Sequence, residues 1–251
     1  MDAHQSIEWR IGCSGYYYKE WKNIFYPAGL PQKQWFSYYC QHFNTIEINS
    51  SFYKQPSLKS FNTWYETSPV DFLFTIKAPR TITHYNKFNE VKELIVDFYE
   101  VITAGLREKL GCVLFQLPPS FTYTEERLSL ILENLNPSFN NVVEFRHISW
   151  WNNTVMTEFK NNHLTFSGLS HPSALPDGII QFNDPIYYRF HGRPILYKSL
   201  YTEQEIVTFA KSIITEPKTL FVYFNNTWGT SALTNAKQLI ALTGFRDLEL
   251  V

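Results

Sequence analysis

Apolar and polar residues alternate in eight short runs along the chain, and most of the stretches between them show the three-to-four-residue recurrence of amphipathic helices. The runs lie at 9–14, 45–49, 72–77, 112–117, 142–146, 164–167, 186–191 and 220–225. Helical stretches are predicted at 32–42, 58–67, 89–109, 125–135, 152–161, 203–214 and 232–242. This alternation predicts βα units and a parallel sheet. Between the sixth and seventh runs, Pro172, Pro176 and Gly178 stand where a helix would fall, so 170–185 is predicted as a loop.

Neighbouring residues of a strand face opposite sides, so each run splits into two sets. One set is large and apolar, as in Ile11, Ile46 with Ile48, Phe74, Phe115, Val143, Phe166, Tyr188 and Val222. The other ends small or polar: Gly12 and Ser14, Glu47 and Asn49, Lys77, Gln116, Glu144 and Arg146, Ser167, Arg189 and His191, Asn225. The same parity in all eight runs predicts one single-domain (β/α)8 TIM-type barrel over 1–251, with the sixth helix replaced by a loop. Its polar side chains would converge at the carboxyl ends of the strands. An open doubly wound sheet is the alternative, and it too binds ligands at strand carboxyl ends.

Composition narrows the class. Apolar residues make up 44% of the 251 residues and charged residues 18%, which is enough to bury one sizeable core and excludes a disordered chain. A formal charge of −1 rules out a uniformly basic, nucleic-acid-coating surface, so charge has to be read locally. Residues 1–10 hold no signal-like apolar run and no transmembrane-length apolar stretch occurs, so a cytoplasmic protein without a membrane span is expected. Cys13, Cys40 and Cys112 lack the spacing of a zinc site or redox pair and suit reduced thiols.

The strand-end residues occur within a series of short motifs. These are Gly12-Cys13-Ser14-Gly15, Phe25-Tyr26-Pro27, Glu47-Ile48-Asn49-Ser50-Ser51-Phe52-Tyr53, Phe74-Thr75-Ile76-Lys77-Ala78, Phe115-Gln116-Leu117-Pro118-Pro119, Glu144-Phe145-Arg146-His147, Arg189-Phe190-His191-Gly192-Arg193 and Tyr223-Phe224-Asn225-Asn226. In this order, from about Ile11 to Leu242, they resemble the YecE-like proteins, grouped as domain of unknown function 72. The resemblance implies a TIM-type barrel and no particular reaction. Cys13 and Tyr16 stand where members of the family tend to have Thr and Trp.

The expected pocket holds five cationic side chains, Lys77, Arg80, Arg146, Arg189 and Arg193, against Glu47 and Glu144. A net-positive pocket suits a small anionic substrate, phosphorylated or sugar-like, because guanidinium and ammonium groups match phosphate and carboxylate. Glu144, Glu47 and His191 are the candidate acid–base residues. Lys77, Arg146, Arg189, Arg193, Gln116, Asn49, Asn225, His147 and Tyr53 are the candidate substrate-binding residues. The competing reading is internal ion pairing, Glu47 with Lys77 and Glu144 with Arg189. Lys77 is also a candidate Schiff-base amine if neighbouring cations lower its pKa.

No cofactor is expected. A single divalent metal on Glu47, Glu144, His147 and His191 is an alternative, although no aspartate ends any run and no His-x-x-x-His pair occurs. Nucleic-acid binding or phosphodiester hydrolysis, and non-catalytic ligand sensing, complete the function classes. Tyr16, Trp21, Phe52, Tyr53, Trp150 and Trp228 are the loop aromatics that would stack on a ring or anchor the loops.

Overall fold

The computed structural model describes residues 7–213 and 218–244; His4 and Ile214, the expected end of a helix, lie outside them. Nine strands form: β1 (Glu8–Cys13), β2 (Thr45–Ile48), β3 (Leu73–Lys77), β4 (Leu110–Gln116), β5 (Asn141–Glu144), β6 (Thr165–Phe166), β7 (Gly168–Ser170), β8 (Ile186–Phe190) and β9 (Thr219–Phe224). The α-helices are α1 (Trp35–His42), α2 (Leu58–Thr67), α3 (Lys92–Leu106), α4 (Glu125–Asn134), α5 (Asn153–Asn161), α6 (Glu203–Lys211) and α7 (Ser231–Thr243). Ser57, Thr124, Asn152 and Thr202 cap α2, α4, α5 and α6 by accepting the first free backbone N–H groups. Residues 171–185 form no helix, as Pro172, Pro176 and Gly178 require.

The strands make two parallel sheets, β1-β9-β8-β7 and β2-β3-β4-β5-β6. The closed eight-stranded barrel expected from the sequence is not found among the described residues. Only β6 falls within the expected sixth run, 164–167; β7 lies beyond it, and its Ser170 falls in the stretch predicted as a loop. β6 pairs with β5, β7 pairs with β8, and Ser167 between them carries the chain from one sheet to the other. Gly168 is required at that crossing, since a Cβ there would lie 2.6 Å from the Tyr188 ring.

Between β1 and β2, side chains take the place of a backbone ladder. Asn44 accepts from Ile11 N at 3.0 Å and donates to Trp9 O at 2.8 Å. The Tyr39 hydroxyl accepts from Cys13 N at 2.7 Å and donates to Thr45 O at 3.1 Å. Gly12 permits this approach, because a Cβ would sit 2.2 Å from Thr45 O.

The predicted parity is seen directly in the packing. Ile11, Ile46, Phe74, Phe115, Val143, Phe166 and Val222 join the large buried cluster beneath the helices. Cys112, Leu114, Val142, Tyr187, Phe221 and Tyr223 form a separate inner cluster between the sheets. Above it the interior turns polar: the Tyr223 hydroxyl meets Thr45 Oγ1 at 2.5 Å and Thr75 Oγ1 at 2.9 Å, tying the two sheets together. All three cysteines are buried thiols. Among the described residues no helix is long and apolar enough to cross a membrane.

Candidate functional site

The carboxyl ends of β2, β5 and β8 supply a buried charged cluster. Arg189 donates through Nη1 to Glu144 Oε2 at 2.9 Å and through Nη2 to Glu47 Oε1 at 2.6 Å. Glu47 also accepts from the Tyr187 hydroxyl at 2.6 Å and from Asn49 Nδ2 at 3.1 Å. Glu144 accepts from Arg146 Nε at 2.6 Å, and Arg146 Nη2 lies 2.5 Å from the same Oε1. Glu47, Glu144 and Arg189 are 0%, 0% and 1% exposed, so their charges exist only because they are mutually satisfied. Burial by itself would raise the Glu144 carboxyl, but Arg146, Arg189 and His191 outweigh it and hold that carboxyl well below the ordinary range.

His191 joins the cluster with Nε2 3.1 Å from Glu144 Oε2, and Nδ1 faces Asn225 Nδ2 at 3.0 Å. Burial, reinforced by Arg146, pushes its pKa well below the usual value, so the ring is neutral at neutral pH. Arg146 Nη2 also lies 3.1 Å from Nε2, so the guanidinium favours a lone pair on that nitrogen while the carboxylate favours a proton. The amide nitrogen of Asn225 facing Nδ1 fits the tautomer in which Nδ1 is the acceptor. In the same way the carboxylate of Glu47, which only accepts, takes the amide nitrogen of Asn49. Asn49 Oδ1 is buried and has no protein partner.

Asn49 and Asn225 line a cavity of about 350 Å³ together with Lys77, Tyr18, Glu20, Phe52, Tyr53, Tyr197, Thr227 and Trp228. Lys77 ends β3 with its Nζ 2.9 Å from Gln116 Oε1 and 4.2 Å from the centre of the Phe52 ring. Gln116 is held by its own donation to Leu117 O at 2.8 Å. Unlike Arg146, Arg189 and Arg193, Lys77 pairs with no carboxylate among the described residues. Burial and the nearby Arg189 lower its pKa to about 7, against the weaker opposing pull of Glu144 and Glu47. His84, in the turn after β3, is likewise lowered to about 4, by burial and then Lys77.

The residues predicted from sequence thus separate into layers. Lys77, Asn49, Asn225 and Tyr53 face the cavity; Gln116 holds Lys77. Glu47, Glu144, Arg189 and His191 lie sealed beneath, and Arg146 belongs with them at 9% side-chain exposure. The expected Glu144–Arg189 pair forms, whereas Glu47 takes Arg189 and not Lys77. Two residues do not reach the site. Arg193 pairs with Asp177 at 2.8 Å, lining a different cavity beside Tyr188 and Tyr201, because the chain turns away at Gly192 with φ of +89°. His147 accepts from Ser149 N at 3.3 Å and caps the short turn Ile148–Trp150.

Of the loop aromatics, Phe52, Tyr53 and Trp228 border the cavity. Trp21 and Trp150 are buried anchors donating to Gly229 O and Phe121 O, and Tyr16 accepts from Trp64. Tyr187 was open to detection, since it shares strand parity with Arg189. Tyr18, Tyr197 and Thr227 carry no such signal, because loop geometry alone brings them in. Among the described residues no group of three or more His, Cys, Asp or Glu is arranged to hold a metal ion.

Comparison with known proteins follows the same outline. Residues 10–249 match the family described as "Protein of unknown function DUF72". The UPF0759 protein YunF of Bacillus subtilis is 26% identical, the match covering 92% of this chain and 93% of that protein. The UPF0759 protein YecE of Escherichia coli is 33% identical over 43% of this chain and 40% of its own. A DUF72 family crystal structure from Thermotoga maritima superposes with a TM-score of 0.82 at 29% identity, covering 94% of this chain and 98% of that one. Another from Enterococcus faecalis gives 0.81 at 20% identity, covering 94% and 95%.

Proposed function

The chain belongs to the DUF72 family, and from that premise we propose that it is an enzyme binding a small, hydroxylated, sugar-like molecule, with Lys77 as its proton-transfer group. The observation that carries this reading is the lining of the cavity over the buried cluster: the side-chain amides of Asn49 and Asn225 accompany one amine that lacks a carboxylate partner among the described residues. Amide oxygens accept from hydroxyls, and an amine with a pKa of about 7 both gives and takes a proton at neutral pH. Phe52, Tyr53 and Trp228 offer faces for the carbon skeleton. An anionic group on the substrate would meet Lys77 in its charged form.

In this reading Glu47, Glu144, Arg189 and His191 act through other residues. Glu47 and His191 orient the two amides, and burial together with Arg189 keeps the Lys77 amine partly neutral. The two sheets are read as halves of one (β/α)8-type barrel, a view supported by the chain crossing at Ser167 and by Asn44 and Tyr39 spanning β1 and β2. The three buried thiols suit a reducing, cytoplasmic setting.

Titration calorimetry or NMR against a panel of polyols, aldoses and sugar acids tests the proposal. Binding is expected for at least one hydroxylated class and is lost in Asn49→Ala and Asn225→Ala proteins that melt like the parent. Equal binding by parent and both variants would overturn it.

A further inference from the structure

We propose that Lys77 is a covalent catalyst, forming an imine with the carbonyl of an open-chain hydroxy-aldehyde or hydroxy-ketone. This rests on the sugar-like reading above and names the reacting group. The Nζ atom faces the cavity, held from one side by Gln116 Oε1 and backed by the Phe52 ring, with no carboxylate to hold it as an ammonium. Charged groups approach from several elements: Arg189 from β8, Glu144 from β5 with Arg146 just beyond it, Glu47 from β2 and, near the cavity, His84 from the turn after β3. Burial is the largest influence lowering the amine and Arg189 the next, opposed by Glu144 and Glu47, which are themselves paired with the arginines. A neutral amine in a walled cavity is the nucleophile that imine formation needs.

The steps balance without an oxidant or reductant. The Nζ lone pair adds to the carbonyl carbon as the C=O π pair moves to oxygen, which takes up a proton. The resulting carbinolamine loses a proton from nitrogen and expels its hydroxyl, protonated, as water, leaving C=N. The side-chain amides of Asn49 and Asn225, which line the cavity, hydrogen-bond the departing water or the adjacent hydroxyl. Once protonated, the imine draws electrons from the neighbouring carbon and so acidifies its C–H bond or weakens the next C–C bond.

The test uses glyceraldehyde with cyanoborohydride at pH 7, followed by peptide mapping, with ligand binding measured in parallel by NMR. Lys77 is expected to carry the reduced adduct at least about tenfold faster than exposed lysines, whose amines stay protonated at that pH, and Lys77→Arg protein is expected to lose only this adduct. Binding of glyceraldehyde or a polyol at the cavity with Lys77 labelled no faster than surface lysines would overturn the imine while leaving the sugar-like reading intact. Absence of both would overturn both.

Discussion

Arg189 of one sheet donates to Glu47 of the other at 2.6 Å, and neither side chain has meaningful contact with solvent. The same guanidinium holds Glu144, which Arg146 also pairs, so two cations balance the two buried carboxylates and Arg189 is the one they share. Replacing it by a methionine of similar length leaves both without their shared partner. Arg189→Met is expected to cost about 3–5 kcal/mol, read from the midpoint and slope of urea unfolding; a loss under about 1 kcal/mol would show the pairs to be dispensable.

Glu144 titrates below its unfolded-state value because Arg146 and Arg189 outweigh burial. A depressed carboxyl adds stability that is complete above the unfolded pKa of about 4.5 and disappears as pH falls through the folded one. Glu144→Gln is therefore expected to be less stable than the parent at pH 7, with the difference shrinking as the pH drops below about 4.5. Melting curves from pH 3 to 7 measure it, and a constant offset would refute the assignment.

Lys77 has the same sign for a different reason. Its pKa falls from 10.5 to about 7, so stability due to its deprotonation is present above 10.5 and is lost as pH falls toward 7. Lys77→Met should raise the melting temperature most at and below pH 7, with the advantage fading toward pH 10. A pH-independent difference would place the folded pKa near its ordinary value.

Asn225 presents its amide nitrogen to His191 Nδ1, and Asn225→Asp tests which ring nitrogen carries the proton. An acceptor facing Nδ1 is expected to draw a proton there and raise the histidine pKa, seen as a shift of the ring nitrogens in long-range ¹⁵N–¹H spectra. Unchanged ring spectra would mean that Asn225 does not set the tautomer.

Tyr39→Phe removes both hydrogen bonds that the hydroxyl makes across the β1–β2 gap and leaves Cys13 N–H buried without its partner. A loss of about 1–3 kcal/mol is expected, with hydrogen exchange accelerated in β1 and β2 more than in β4. Uniform acceleration would indicate a global effect and no local seam.

The positions of every described strand but β7, the inside and outside of those strands and the polar character of their ends were legible in the residues. Each depends on the two-residue repeat of extended backbone, which is local. Even Tyr187 could have been found this way. The partners could not. Arg189 meets Glu144 and Glu47 across 45 and 142 positions of sequence, and Glu47 prefers it to Lys77 because the two sheets bring those ends together. The break between β6 and β7 and the side-chain seam at Asn44 likewise depend on how the sheets meet. Whether a charged side chain is sealed or faces a cavity is a property of the closed structure, since burial is set by neighbours far along the chain. Sequence alone assembled the polar set; tertiary packing decided that Glu47 and Glu144 pair with Arg189 and Arg146 below, leaving Lys77 and the amides of Asn49 and Asn225 lining the cavity.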